Sequence, residues 1–272
     1  MAQKPQNAEE NIVSLKVDDV IISLFLPDQD DHIQKTIIRK NNFYERHMLD
    51  DIRTRLSCGG IAIDVGANIG NHTIFLSKVC GMEVIAIEPF RHCFEILEKN
   101  VTLNNVADRV TVIQKAVGRT AGSGDVVLSS EKNLGQARIQ ERPDGCVEII
   151  PLDSLRISSS VALIKIDVEG MELDVLEGAR GLIERFRPLV YVEAQTDVAL
   201  KQIRSFFSEF SYESIDHFNV TPTFLFVSCR TPDEQFAALM HRLRRLQEEA
   251  DRQATEILRL RQLEKQRQQK DT

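Results

Sequence analysis

The chain has 272 residues, 42% of them apolar and 28% charged, with 34 Lys and Arg against 41 Asp and Glu for a net charge of −7. This is enough apolar content for a packed α/β domain, which argues against disorder, and the negative balance argues against a nucleic-acid partner. The opening MAQKPQNAEENIVSLKVDD lacks a cationic stretch followed by an apolar core, no 18 apolar residues run together, and the cysteines (Cys58, Cys80, Cys93, Cys146, Cys229) are odd in number and never spaced C-x-x-C. No export signal, transmembrane segment, disulfide framework or metal centre is therefore expected, and the setting reads as cytoplasmic.

Residues 1–60 form an N-terminal segment with a strand-like pattern over 12–27. A helix is expected over 43–56, where Tyr44, Met48, Ile52 and Leu56 recur at spacings of four. A doubly wound α/β domain is expected over 61–231. It begins with a strand at 61–65, a helix from Asn71, a strand at 83–88, a helix at 93–103 and a strand at 109–116. Three short β pieces follow at 125–130, 136–140 and 146–150. A second series has a strand at 161–166, a helix at 171–186, a strand at 189–193 and a helix at 197–207. Runs at 212–216 and 223–229 then make a hairpin with one antiparallel strand. This alternation predicts a doubly wound α/β layer of about seven strands. Residues 232–272 change character: Phe236, Leu243, Ala250 and Ile257 fall at heptad position a and Leu239, Leu246, Gln253 and Leu260 at d. That register predicts a coiled-coil-like helix and a homo-oligomer. Over 241–270 the tail carries nine Lys and Arg and five Asp and Glu.

Ile61-Ala-Ile-Asp-Val-Gly-Ala-Asn-Ile-Gly70 places Asp64, Gly66, Asn68 and Gly70 at a strand-to-helix turn, where glycines let a ligand approach the backbone and free N–H groups. The spacing is G-x-N-x-G, so the G-x-G-x-x-G diphosphate fingerprint is incomplete and an NAD-dependent oxidoreductase is disfavoured. Glu88 closes the next strand, where an acid can accept from both ribose hydroxyls. The set describes a nucleoside pocket with a positive or zwitterionic tail, which suits S-adenosylmethionine better than NAD. The other reading is a tight turn with no ligand.

Leu163-Ile-Lys-Ile-Asp-Val-Glu-Gly-Met-Glu172 repeats the strand, acid and glycine arrangement. Asp167 and Glu169 can deprotonate a hydroxyl, ligate a cation or cap the next helix. Glu172 suits a cap, and Lys165 packing or a salt bridge. Glu193, ending the next strand, points to the crevice opening. His72 can meet the cofactor, the acceptor or merely solvent, while His92 and His241 read as surface positions and His217 as a poor base. The stretch from Asn133 to Gly145 is an acceptor-selecting loop or a plain surface hairpin.

Tyr44-Glu45, IDVGANIGNHT, IEPF, KAVG, Asn133-Leu134-Gly135, PLDSL, IKIDVEGMELDVLEGA and RPLVYVEAQ, in this order, resemble the FkbM family of S-adenosylmethionine-dependent methyltransferases over roughly residues 40 to 195. The resemblance implies a Rossmann-like methyltransferase domain over 61–231 with a sheet of order 3-2-1-4-5-7-6, and O-methylation of a carbohydrate or natural-product hydroxyl. By position, Asp64, Gly66, Ala67, Asn68 and Gly70 would hold the methionyl part, Glu88 the ribose, and Ala116 and Val117 would border the adenine. Asp167 is the expected base, with Glu169 and His72 as alternates. A divalent cation at Asp167 and Glu169 is disfavoured, because such a site wants several more oxygens. The competing reading is a non-catalytic scaffold that oligomerises through the tail.

Overall fold

Ile61-Ala-Ile-Asp-Val is apolar on both sides and forms β3 (Ile61–Val65) with every residue buried, as a strand covered on both faces must be. The computed structural model describes residues 11–56, 59–128 and 137–268. Around β3 lie β4 (Glu83–Ile87), β5 (Val110–Ile113), β10 (Val161–Ile166), β11 (Leu189–Glu193), β12 (Tyr212–Phe218) and β13 (Thr223–Ser228). The seven-stranded sheet has the order β12-β13-β11-β10-β3-β4-β5, and β13 runs antiparallel to both neighbours. This is the expected 3-2-1-4-5-7-6 arrangement with its single reversed strand.

Strand alternation sorts the side chains into two cores. Ala62, Leu163 and Tyr191 face one core with Met48, Phe75 and Leu97; Ile63, Ile164, Val190 and Val192 face the other with Val175, Ile183 and Phe207. The first core is covered by α2 (Arg46–Arg55) and α4 (Arg91–Leu103), and by an antiparallel hairpin of β1 (Ile12–Val17) and β2 (Val20–Phe25) where a strand-like run was expected. Asn100 of α4 and Asn104 at its C-terminal cap accept from the N–H groups of Phe25 and Ser23 at 2.6 and 3.0 Å, which ties the hairpin to the domain.

Several boundaries differ from expectation for local reasons. The helix after β3 is a short α3 (Asn71–Ile74) that widens into a π-turn over Phe75–Val79. Helix α2 begins at Arg46, because Asn71 holds the Tyr44 peptide from both sides at 3.0 Å. An α1 (His32–Lys40) precedes it, capped by Asp31, whose carboxylate accepts from the N–H groups of Ile33 and Gln34. The chain leaves β5 and starts a four-stranded sheet, ordered β6-β9-β7-β8, from β6 (Ala116–Val117), β7 (Gly122–Leu128), β8 (Ala137–Glu141) and β9 (Val147–Ile150). Asn133-Leu134-Gly135 lies outside the described residues. The helix expected over 171–186 is two, α5 (Glu172–Glu177) and α6 (Arg180–Phe186). At Gly178 a Cβ would stand 2.1 Å from the Gly118 carbonyl oxygen. Beyond that crossing, Asp153 accepts at 2.8 Å from the N–H groups of Gly181 and Leu182 and caps α6 from another part of the chain.

After α7 (Asp197–Glu209) and the β12–β13 hairpin comes α8 (Pro232–Gln268), about 55 Å long at 1.5 Å per residue. A reciprocal capping box starts it: Thr231 N–H donates to Glu234 at 2.8 Å, and Thr231 Oγ1 accepts from Glu234 N–H at 3.2 Å. Among the described residues, no helix is long and apolar enough to cross a membrane.

Candidate active site

The parallel register sets Lys165 of β10 directly beside Asp64 of β3, with both side chains buried on the same side of the sheet. Asp64 is fully buried and accepts from Thr73 Oγ1 at 2.6 Å. Lys165 Nζ lies 3.4 Å from carboxylate oxygens of both Asp64 and Asp167 and donates to the Gly66 carbonyl at 3.0 Å. Burial pulls the Lys165 pKa down, but the two carboxylates outweigh it and leave the ammonium raised above its ordinary value.

Gly66 has φ +73°, and a Cβ there would stand 1.8 Å from the Asp167 carbonyl oxygen. Its lack of a side chain is thus required by the crossing of the β3 and β10 tips, in addition to any ligand. Gly70, with φ +88°, would press a Cβ against Leu97 at 2.7 Å. Asp64 and Gly70 stand behind the cavity wall, whereas Gly66, Ala67, Asn68, Glu88, Ala116 and Val117 line it.

That cavity, about 530 Å³, opens at the carboxyl ends of β3, β4 and β10, where doubly wound folds bind ligands. Glu88 accepts at 2.8 Å from the N–H groups of Asn68 and Phe90, one to each oxygen. Two of the roughly four acceptor directions of a carboxylate are thereby used and the rest are free. Burial pushes Glu88 up to about 7 against the opposing effect of those N–H groups. Ile87, Val117, Val126 and Ile139 supply an apolar lining, and α1 contributes Arg39 and Lys40.

At the tips of β10 and β11, Asp167, Glu169 and Glu193 bring carboxylate oxygens within 4.8 Å of one another. Gln195 Nε2 donates to Glu169 at 2.6 Å and Glu193 at 3.2 Å. Burial raises Glu169, and burial followed by the neighbouring Asp167 pushes Glu193 to about 8. Burial, Glu45 and Asp167 likewise push the Tyr44 hydroxyl up to about 12. His72, on the first turn of α3, is buried in the cavity wall with Nε2 3.2 Å from Glu45. Glu172, expected to cap the helix, instead accepts at 2.9 Å from the N–H of Gly170 in the turn before α5. His92 pairs with Asp28 at the surface, while His241 is half-buried against Asp216.

Sequence reasoning missed α1, Val126, Ile139 and the Val220-Thr221 turn as parts of this cavity. For α1 the signal was present: Asp31 as cap, Ile33 and Ile37 on one face, and Asn41 at the left-handed exit.

A family model described as the methyltransferase FkbM domain matches residues 64–214. "Methyltransferase sdnD" of Sordaria araneosa is 26% identical over 153 residues, which cover 43% of this chain and 59% of that protein. "Hexuronic acid methyltransferase AglP" of Haloferax volcanii is 31% identical over 153 residues, covering 54% and 60%. The chain thus spans about three fifths of the length of the curated relatives it matches. A crystal structure of a methyltransferase FkbM from Methylobacillus flagellatus KT has a TM-score of 0.49 and 23% identity, over 64% of this chain and 45% of that one. Since the family model takes in more than half of the 272 residues, the chain belongs to the FkbM methyltransferase family.

Proposed function

We propose that this chain is an S-adenosylmethionine-dependent O-methyltransferase acting on a hydroxyl of a carbohydrate or another natural product. One observation carries the reading: a cavity with a nucleoside-sized apolar lining and Glu88 on its wall ends at the Asp167, Glu169 and Glu193 carboxylates. The donor set fits that cofactor. Glu88 has acceptor directions left for ribose hydroxyls, Ala116 and Val117 border an apolar slot for a base, and the turn Gly66-Ala67-Asn68 faces the cavity. The carboxylates favour a neighbouring positive charge, while Arg39 and Lys40 suit a carboxylate. When bound, S-adenosylmethionine supplies an electrophilic methyl group.

Asp167 takes the proton of the acceptor hydroxyl, with Glu169 and His72 as alternates. Glu193, held partly protonated near neutral pH by burial and Asp167, can donate to or accept from the acceptor oxygen. Positioning of the reacting groups can supply about 7–11 kcal/mol of a barrier, and general base catalysis about 10²–10⁴-fold. The name of the Haloferax relative supports a sugar acceptor. Four free cysteines among the described residues support a cytoplasmic setting. A divalent cation at Asp167, Glu169 and Glu193 is the lesser alternative, since the trio offers fewer oxygens than a cation normally takes; full turnover after EDTA treatment removes it.

Calorimetric titration with S-adenosylmethionine, paired with detection of S-adenosylhomocysteine over a panel of sugars and uronates, tests the reading. Asp167→Asn is expected to bind cofactor as the parent does and to lose about 10²–10⁴-fold in turnover, whereas Glu88→Ala is expected to lose cofactor affinity. No binding heat with the parent chain would leave the scaffold reading in its place.

A further inference from the structure

Helix α8 is held to the domain by the side opposite its heptad seam. Among the described side chains of the helix, Glu234 is half-buried, Ala238 buried, and His241 and Arg245 half-buried. With Phe236 at a, these four fall at positions f, c, f and c. His241 and Arg245 both reach Asp216 of β12, at 3.2 and 3.0 Å, and Arg242 at g pairs with Glu213. The a and d side chains point the other way: Phe236, Leu239, Leu243, Leu246, Ile257 and Leu260 are each 50–63% exposed. An amphipathic helix that merely covers its own domain would bury this stripe; α8 buries a small, charged face and leaves the stripe in water.

We infer that the exposed seam of α8 pairs with the same seam of a second copy of this chain, as a parallel two-stranded coiled coil. Six of the eight large apolar side chains exposed on the helix fall at a and d, with Met240 beside them at e and Leu258 apart at b; this is the narrow repeat that a like helix fills by knobs-into-holes packing. A membrane-lying helix needs a wider apolar face with cations along its edges, whereas Glu249 and Glu256 stand at g. In the parallel arrangement, the g and e′ pairs are Arg242 with Gln247, Glu249 with Ala254, and Glu256 with Arg261: one attraction and no repulsion. Gln253, the one polar residue at d between Phe236 and Leu260, meets its own copy in this register, and the two amides satisfy each other. A shifted or antiparallel pairing sets that amide against an apolar side chain, so Gln253 fixes the alignment at some cost in stability. Because f and c point away from the partner, both catalytic domains fit outside the stem.

Light scattering on the full chain is expected to give twice the 30.9 kDa of one chain. Leu239→Glu with Leu243→Glu and Leu246→Glu, all on exposed positions, is expected to return the single-chain mass with an unchanged circular dichroism melt of the domain. Gln253→Cys is expected to yield a reducible band of doubled mass under mild oxidation that the parent does not give. A parent of single-chain mass at micromolar concentration, a trimer or tetramer, or a dimer that survives the triple substitution overturns the inference. A dimer in which Gln253→Cys does not cross-link overturns the parallel register.

Discussion

Lys165 is 2% exposed and faces two carboxylates, one of which, Asp64, has no exposed surface. Removing its charge leaves a buried anion without compensation, which typically costs about 3–5 kcal/mol. Lys165→Met is therefore expected to lower the unfolding free energy measured in urea by that amount, and adding Asp64→Asn should restore part of it; additive losses in the double-mutant cycle would break the pairing argument. Asp167, Glu169 and Glu88 could be picked out beforehand because acids that end apolar strands announce themselves in one stretch of sequence. The inward role of Asp64 could not, since it depends on the register between β3 and β10 and on Thr73 of α3, nine residues on across the turn. The same holds for Gly66, whose requirement comes from the Asp167 backbone, 101 positions later. The closeness of Glu193 to Asp167 and Glu169 likewise needed two strand tips brought side by side.

At the scale of elements, α7 is fixed by stacking. Phe207 lies 4.2 Å from Phe226 of β13 at an interplanar angle of 17°, and 5.3 Å from both Phe206 and Tyr212. Truncating a fully buried aromatic removes its transfer free energy and leaves a cavity, together about 3–5 kcal/mol. Phe207→Ala should show that loss in urea, with an unchanged slope if α7 stays docked; a change under 1 kcal/mol would mean that the cluster closes over the gap. The strands β3, β10 and β11 could be read residue for residue because their apolar runs are bounded by acids and glycines. The break between α5 and α6 was hidden because an approach by Gly118 and a cap from Asp153 cause it, and neither leaves a local trace. Helix α2 started late for a similar reason, the clamp of Asn71 on Tyr44.

Over the whole molecule, two buried acids set the direction of the pH response. Glu88 and Glu193 are raised to about 7 and about 8 in the folded chain, from ordinary values near 4.5. The folded state therefore binds more protons than the unfolded one between those limits, and unfolding free energy falls as pH rises. Their stabilising contribution is full below about pH 4.5 and gone above about pH 8. The melting temperature is expected to drop from pH 5.5 to pH 8, and Glu88→Gln with Glu193→Gln to flatten that drop; equal slopes in parent and variant would refute it. The Gly66 and Asp167 backbones meet with no room for a methyl group, and Asp167 N–H donates to the Val65 carbonyl at 3.1 Å. The cavity wall and the proposed base thus form one rigid piece. Whatever steadies the first steadies the second, so on the proposed function cofactor and acceptor would not bind independently. By thermodynamic reciprocity, the factor by which one tightens the other is returned in full, and a two-substrate kinetic analysis should give double-reciprocal initial-velocity lines that cross above the reciprocal-concentration axis, whereas crossing on that axis would mean independent binding.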